Sequence, residues 1–113
     1  GALYPMGGFL RGKSFRTGGR RRIGYVNLTA RKGNLLCGAG EGFAAHEFHY
    51  WDSEVTGDGF VAQKPLRRLH WDCVVCDEHF WGGYPHLFFY SNPQMAKNFL
   101  NRCEQYHRQK EGI

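Results

Sequence analysis

The chain has 113 residues, of which 42% are hydrophobic and 16% aromatic, and these values predict one globular domain and exclude the disordered class. No apolar run reaches transmembrane length and no signal-peptide pattern is present, so we expect a cytoplasmic protein with no membrane partner. The formal net charge is +5, and residues 1–40 carry eight basic side chains and no acidic one, which would attract polyanions or complement an acidic neighbouring domain.

Glycine turns and short strands are predicted in the first half of the chain. Residues 6–12 predict a short strand closed by a glycine turn, and residues 17–19 predict a second turn. Alternation with period two predicts a β-strand over residues 20–30, and residues 43–51 predict another. The glycine-rich segment 38–42 is predicted to be a loop between them.

Shorter strands are predicted in the second half. Residues 55–60 resemble a hairpin in which Asp58-Gly59 supplies the positive-φ positions. A loop is predicted at residues 65–69, followed by strands at 73–76 and 86–90 that are linked through residues 81–83.

The last element is predicted to be a helix. Asn92 is a favourable N-cap, Pro93 fits the first helical position, and Gly112 is a plausible stop. One apolar stripe is predicted to be buried, comprising Met95, Phe99, Cys103 and Tyr106. The opposite face is predicted to lie in water, comprising Lys97, Asn98, Arg102, Gln105 and Arg108. The pattern as a whole predicts a strand-rich mixed sheet with one C-terminal helix.

The four cysteines permit two interpretations. Cys73-x-x-Cys76 followed by His79 has the local spacing of a zinc site, whose fourth ligand would be Cys37, Cys103 or another histidine. A strand would instead direct Cys73 and Cys76 to opposite faces, which suits neither a metal nor a disulfide. Reduced structural thiols and no metal site are therefore the favoured interpretation.

Two segments have side chains suited to acid–base chemistry. In a strand, His46, Phe48 and Tyr50 would face one way, while Glu47 and His49 would face the other and could act as an oriented pair. The alternative is a polar edge strand with one satisfied buried carboxylate. His86 starts an aromatic strand and could be a general base, since its ordinary pKa lies near neutrality, or it could be a core histidine. The sequence contains no glycine-rich phosphate loop followed by lysine and no nucleophile elbow around a serine.

In order along the chain, several segments resemble the C-terminal part of the glutamine amidotransferase domain of cobyrinate a,c-diamide synthase. Met6-Gly7-Gly8-Phe9-Leu10-Arg11-Gly12 resembles the family's Met-x-Gly-x-Leu-Pro-Gly turn, with Arg11 in place of proline. Arg22-Ile23-Gly24-Tyr25 resembles its Phe/Leu-Gly-Tyr strand. Ala45-His46-Glu47-Phe48-His49-Tyr50 resembles Gly-His-Glu-Phe-His-Tyr, and Tyr84-Pro85-His86-Leu87-Phe88-Phe89 resembles Tyr-Val-His-Leu-His-Phe. Ser91-Asn92-Pro93, the helix and Cys103 complete the resemblance.

This resemblance implies an α/β fold of the class I glutamine amidotransferase type, of which residues 1–113 would form a partial domain. His86 would be the catalytic base that activates a cysteine, and that cysteine would lie upstream of residue 1. Glu47 and His49 would border the glutamine site as substrate-binding or orienting residues. Phe88 stands where triad amidotransferases have glutamate, so the site would be a Cys–His dyad.

The resemblance also implies partners. The substrate would be glutamine, and the ammonia released would pass to an N-terminal ATP-dependent synthetase domain of the same protein. ATP and Mg²⁺ would act in that domain, and no cofactor is expected in residues 1–113. This chain alone would be inactive, and its uncovered strands would favour a homo-oligomer.

One alternative function has a different basis. A small basic module could use residues 20–22 and the aromatic side chains to bind an anionic ligand or nucleic acid. Because the aromatic residues alternate with strand residues and not with the basic cluster, no stacking platform is visible, and we expect no nucleic-acid partner.

Overall fold

The computed structural model describes residues 2–18 and 22–112, with the backbone alone for Arg22 and Ile23. Within that part of the chain the strands are β1 (Ser14–Arg16), β2 (Arg22–Ala30), β3 (Gly42–His49), β4 (Trp51–Ser53), β5 (Phe60–Gln63), β6 (His70–Cys73), β7 (Val75–Cys76), β8 (Trp81–Gly82) and β9 (His86–Leu87). A 3-10 turn (Phe89–Ser91) and the helix α1 (Gln94–Lys110) follow them.

A five-stranded sheet organises the molecule, with strand order β6-β5-β2-β3-β9 and antiparallel pairing throughout. β1 pairs with β4, and β7 pairs with β8, in two separate antiparallel ribbons. Among the described residues, the parallel contact is the isolated bridge between Gly57 and Val74. The strand-rich architecture with a single helix at the end is therefore confirmed.

One face of the sheet forms the core, because side chains alternate between the two faces of a strand. Val26 and Leu28 of β2 are each 1% exposed, whereas Tyr25, between Gly24 and Val26, is 73% exposed. Phe43 of β3 and Phe60 of β5 meet edge to face on the same side, with ring centroids 5.5 Å apart. We call this core side the inner face and the opposite side the outer face. The period-two pattern predicted for residues 20–30 is confirmed from Gly24 onward.

The helix α1 contacts the core through its first turns. Met95 is fully buried, and the Asn98 side-chain amide donates a hydrogen bond to the carbonyl of Leu36 over 2.7 Å. The predicted buried stripe is wrong beyond Met95, because Phe99 and Tyr106 are 44% and 58% exposed and Cys103 is exposed. Asn98, predicted to lie in water, is half-buried instead. Of the predicted stripe, the helix therefore buries Met95 fully and leaves the later apolar side chains exposed.

The two ends of α1 differ in how well the sequence predicted them. Asn92 does not act as the N-cap, because its side-chain amide donates to the carbonyl of Gly42 and the helix begins at Gln94 after Pro93. At the other end Gly112 has φ of +70°, the left-handed conformation that stops a helix, as predicted.

Three predicted strands are wrong or shortened. Residues 6–12 form no strand, and Phe9 remains 81% exposed although its ring stacks on Phe80. The strand predicted at 43–51 divides at Tyr50, because β3 pairs with β2 whereas β4 pairs with β1. The strand predicted at 86–90 ends at Leu87, where the Ser91 hydroxyl bonds the carbonyl of Phe88 and turns the chain.

The hairpin predicted at 55–60 is also wrong. Gly57, at φ +83°, supplies the positive-φ position, and β5 pairs with β2 and β6. A Cβ at Gly57 would lie 2.3 Å from the carbonyl of Val74, so the close approach itself requires glycine. The loop predicted at 65–69 is confirmed between β5 and β6.

The predicted strand at 73–76 is interrupted at Val74, whose φ is +71°. This break cancels the alternation, so Cys73 and Cys76 are both buried in the same core cluster. The predicted opposite orientation is therefore not observed.

The turn predicted at 17–19 extends beyond the described residues at Gly19. For residues 2–18 and 22–112, the structure contains no helix of the length and apolarity that crossing a membrane requires.

Candidate functional site

His86 lies exposed on the outer face of the sheet, on the short edge strand β9. In the β3–β9 pairing it stands opposite His46, and the two imidazole centroids are 6.5 Å apart. The Phe88 amide donates to the carbonyl of Ala44 over 3.2 Å, which continues the pairing by one position. The alternative of a core histidine is therefore excluded by position, and the ring is open to a group approaching from outside.

Aromatic residues surround the two histidines on this face. Tyr25 meets His46 edge to face at 5.2 Å, and Phe48 meets Tyr50 at 5.6 Å. Phe48 and Tyr50 are 44% and 43% exposed. We call Tyr25, His46, Phe48, Tyr50 and His86 the outer aromatic face.

Glu47 and His49 lie on the inner face and contact each other, as the strand alternation predicted. Glu47 is 2% exposed, and its Oε2 lies 3.1 Å from Nε2 of His49. Nδ1 of His49 lies 2.6 Å from the carbonyl oxygen of Trp51.

These contacts fix a proton on Nδ1 of His49 and place one further proton between His49 and Glu47. A carbonyl oxygen only accepts, so Nδ1–H of His49 donates to Trp51, and Nε2 shares a further proton with the Glu47 carboxyl. The pair is either an imidazolium with a carboxylate or a neutral imidazole with a carboxylic acid. In both forms, the buried carboxyl group is satisfied by the histidine.

Tyr84 packs directly on the His49 ring. The two rings are stacked, with centroids 4.0 Å apart and planes inclined by 8°. The Tyr84 hydroxyl lies 2.8 Å from Oγ of Ser53 in β4, and Ser53 lies 2.9 Å from Oγ of Ser14 in β1. The ring is therefore held on its face by His49 and at its hydroxyl by β4.

The Lys64 ammonium lies close to Gly24, which pairs with Glu47 in the sheet. Gly24 is the register partner of Glu47, and a Cβ at Gly24 would lie 3.0 Å from Nζ of Lys64. Lys64 directly follows β5, and its ammonium lies on the side of the sheet to which a Cβ at Gly24 would point.

The structure does not bring all the predicted site residues together. Glu47 and His49 contact each other, whereas His86 pairs with His46 and shares its outer face. Sequence reasoning assigned no role to His46 or Tyr84. Alternation placed His46 on the face opposite Glu47, but local spacing does not predict that His46 pairs with His86. Tyr84 lies only two residues before His86, but local spacing does not predict that it stacks on His49.

Two of the four cysteines, Cys37 and Cys76, are poor candidates for a nucleophile. Burial raises the pKa of the Cys37 thiol, and Glu41 and Cys76 raise it further against a hydrogen bond from Asn34. Burial likewise raises the pKa of Cys76, against the opposing charge of Lys32. Because the thiolate is the reactive form, these thiols are unreactive near neutral pH.

Metal ligands and the basic cluster give no further site in the described residues. Residues 2–18 and 22–112 contain no group of three or more His, Cys, Asp or Glu side chains that could hold a metal ion. His79 is exposed, whereas Cys73 and Cys76 are buried. Arg20 and Arg21 lie outside the described residues, as does the side chain of Arg22, so the structure does not describe the predicted anion-binding cluster.

Comparison with known proteins supports the resemblance given by the motifs. Eight curated proteins match the chain, all of them cobyrinate a,c-diamide synthases. The chain is similar to cobyrinate a,c-diamide synthase. The protein from Caldanaerobacter subterraneus is 28% identical over 112 residues, which are 96% of this chain and 24% of the relative. The synthase from Picrophilus torridus is 27% identical over 103 residues, and that from Thermoplasma volcanium is 27% identical over 113.

The chain thus spans about a quarter of the length of the curated synthases that it matches. No family model and no solved structure matches it.

Proposed function

We propose that this chain forms the histidine-bearing part of the glutaminase domain of an ATP-dependent amidoligase that amidates tetrapyrrole carboxylates in cobalamin biosynthesis. Similarity to cobyrinate a,c-diamide synthases over almost the whole chain supports the family, and the motifs around His46 and His86 support the domain. The corresponding fold is an α/β fold of the class I glutamine amidotransferase type.

The exposed position of His86 carries the proposal. Its imidazole lies on a paired strand at the edge of the sheet and faces outward, where a thiol from outside this chain can approach it. An imidazole within hydrogen-bond distance of a thiol takes its proton, and the thiolate then attacks the side-chain amide of glutamine. Ammonia leaves, and water releases glutamate from the acyl-enzyme.

The nucleophile is assigned to a segment outside residues 1–113. The buried Cys37 and Cys76 have raised pKa values, which oppose thiolate formation. Phe88 is two residues after His86, so that position supplies no carboxylate to orient the imidazole, which is why we propose a dyad.

The positions of Glu47 and His49 favour orientation over direct contact with glutamine. Glu47 is 2% exposed and both side chains lie on the face opposite His86, so a substrate beside His86 would meet the other side of the sheet.

ATP and Mg²⁺ are assigned to a separate synthetase domain. The described residues hold no cluster of three metal-ligating side chains. The glycine-rich segment 38–42 lacks the lysine and helix that bind phosphates, so these residues do not fit either group.

A chimaera tests the assignment of nucleophile and base. This chain would replace the matched segment of the Caldanaerobacter subterraneus synthase, and the purified protein would be incubated with a diazoketone analogue of glutamine that alkylates an activated thiol. We expect mass spectrometry to find the label on a cysteine outside this chain, and His86→Ala to slow labelling by about 10²–10⁴-fold.

His70→Ala is the matched control, because His70 is an exposed histidine on β6, at the other edge of the same sheet. The His70→Ala chimaera should be alkylated at the same rate as the unsubstituted chimaera. Label on any of the four cysteines of this chain, or equal labelling of His86→Ala and His70→Ala, would refute the assignment.

The basic binding module has less support. The similarity covers the chain from end to end and favours the synthase, and Arg31, in the described basic region, is paired with Asp72.

A further inference from the structure

Strand β9 is too short to fix His86 by itself. It has two residues, His86 and Leu87, and it pairs on one side only, with His46 and Ala45 of β3. The chain before it bends at Tyr84. Two-residue edge strands have few ladder hydrogen bonds. The Phe88 amide adds one to Ala44 on the C-terminal side of β9, so the N-terminal side still needs a contact that limits the motion of the backbone carrying the imidazole.

Tyr84 makes that contact from the opposite face of the sheet. Its ring lies 4.0 Å from the His49 ring in a nearly parallel stack, and its hydroxyl bonds Ser53 over 2.8 Å. The intervening Pro85 is buried and has a fixed φ. Because Pro85 leaves few rotatable backbone bonds between Tyr84 and His86, a displacement of Tyr84 would also displace His86.

The partner of Tyr84 is itself immobilised. The His49 ring is held at both nitrogens, by the Trp51 carbonyl at 2.6 Å and by Glu47 at 3.1 Å. A ring held in this way cannot rotate without leaving a buried carboxyl group unsatisfied, which costs about 1–3 kcal/mol or more for a charged group. It is a rigid platform for a stacked aromatic ring.

We infer that Tyr84 is a positioning residue for His86, and that the buried Glu47–His49 pair acts on the outer-face imidazole through it. The pair thus affects chemistry on the other side of the sheet without contacting substrate. This inference deepens the proposed function and rests on it for its catalytic meaning, although the positioning itself is measurable without activity.

The first experiment measures position without activity. Spectra of the chimaera labelled with ¹³C and ¹⁵N would report the ring–ring cross-peaks between His46 and His86. Tyr84→Leu removes the stack, so we expect those cross-peaks to be lost and the His86 ring signals to broaden. Tyr84→Phe retains the stack, so its cross-peaks should remain.

His49→Asn removes the stack from the other partner, and it should lose the same cross-peaks as Tyr84→Leu. The Leu28 amide signal, in the centre of the core, verifies folding in each variant. If Tyr84→Leu does not fold, the spectra of His49→Asn decide whether the stack positions His86. Intact His46–His86 cross-peaks in a folded variant that lacks the stack would overturn the inference.

The second experiment separates this inference from the proposed function. In the chimaera, Tyr84→Leu should lower kcat for glutamine-dependent amidation and leave the KM for glutamine unchanged, while Tyr84→Phe restores kcat. Full activity of His86→Ala would reject the proposed function and leave the spectral result in place. Lost cross-peaks with unchanged kcat in Tyr84→Leu would overturn the catalytic part of the inference.

Discussion

The burial of the Glu47 carboxyl group explains why polar groups lie close to it. An unpaired carboxylate in an apolar interior costs several kcal/mol, so such a side chain needs close polar partners. His49 supplies one at 3.1 Å, and the Lys64 ammonium lies beside the neighbouring Gly24. Gly24, at φ +109°, has a backbone conformation that favours glycine.

The thiols give a prediction about pH. Cys37 and Cys76 have pKa values raised in the folded state, chiefly by burial, so folding favours their protonated forms. As pH rises through the ordinary thiol pKa of 9.0, the unfolded chain releases these protons before the folded chain does. Linkage then lowers the free energy of unfolding, so stability is lost on the alkaline side.

Thermal melts between about pH 7 and pH 10.5 measure this effect, a range that brackets the ordinary thiol pKa. We expect Tm to fall at the alkaline end, and to fall less steeply in Cys37→Ala, which lacks one titrating thiol. Cys103→Ala is the control, since Cys103 is exposed. An identical alkaline slope in all three proteins would contradict the prediction.

The sequence predicted the residue pairings within a strand but not those between distant segments. Alternation correctly put Glu47 and His49 on one face, because strand geometry fixes that relation locally. The stack of Tyr84 on His49 joins residues 35 positions apart. It depends on the bend before β9, and no local pattern predicts that bend.

At the scale of elements, the long strand β2 was predictable, whereas the four-residue β5, which also has a strand on each side, was not. β2 has partners on both sides and shows clean period-two burial, so the sequence pattern and the structure agree. β9 lies at the edge, and the aromatic run from Phe88 to Tyr90 has strand propensity without a strand to pair with. There a hydroxyl contact of Ser91 overrides propensity and turns the chain.

The helix shows the same limit. Its length and its stop at Gly112 follow from the sequence, whereas the extent to which its apolar face is covered does not. Phe99 and Tyr106 belong to the predicted stripe, yet they are 44% and 58% exposed. Periodicity identifies an apolar face and does not reveal whether a surface exists to cover it.

At the scale of the whole molecule, the outer aromatic face is exposed to solvent. Tyr25 is 73% exposed and lies beside His46, and Tyr90 beyond β9 is 86% exposed. Contiguous apolar surface and an edge strand favour association. We therefore predict that this chain by itself forms a dimer or a larger species through this face.

Sedimentation at micromolar concentration measures the association. The double variant Tyr25→Lys, Phe48→Lys should shift the chain toward monomer, because two like charges would then oppose each other across the contact. Leu66→Lys is the control, since Leu66 is 97% exposed and is not one of the residues of the outer aromatic face. A monomer of 13.0 kDa without any substitution would contradict the prediction.

The chain spans about a quarter of the length of the synthases that it matches, and we propose that His86 acts on a thiol outside this chain. In this proposal His86 activates the thiol for glutamine hydrolysis and has no role in the amidation step itself.

The most direct test compares two nitrogen sources in the chimaera with the Caldanaerobacter subterraneus synthase. We predict that His86→Ala lowers glutamine-dependent amidation of the tetrapyrrole by about 10²–10⁴-fold and leaves ammonia-dependent amidation unchanged. Equal loss of both activities would show that His86 is structural, and loss of neither would show that another group activates the thiol.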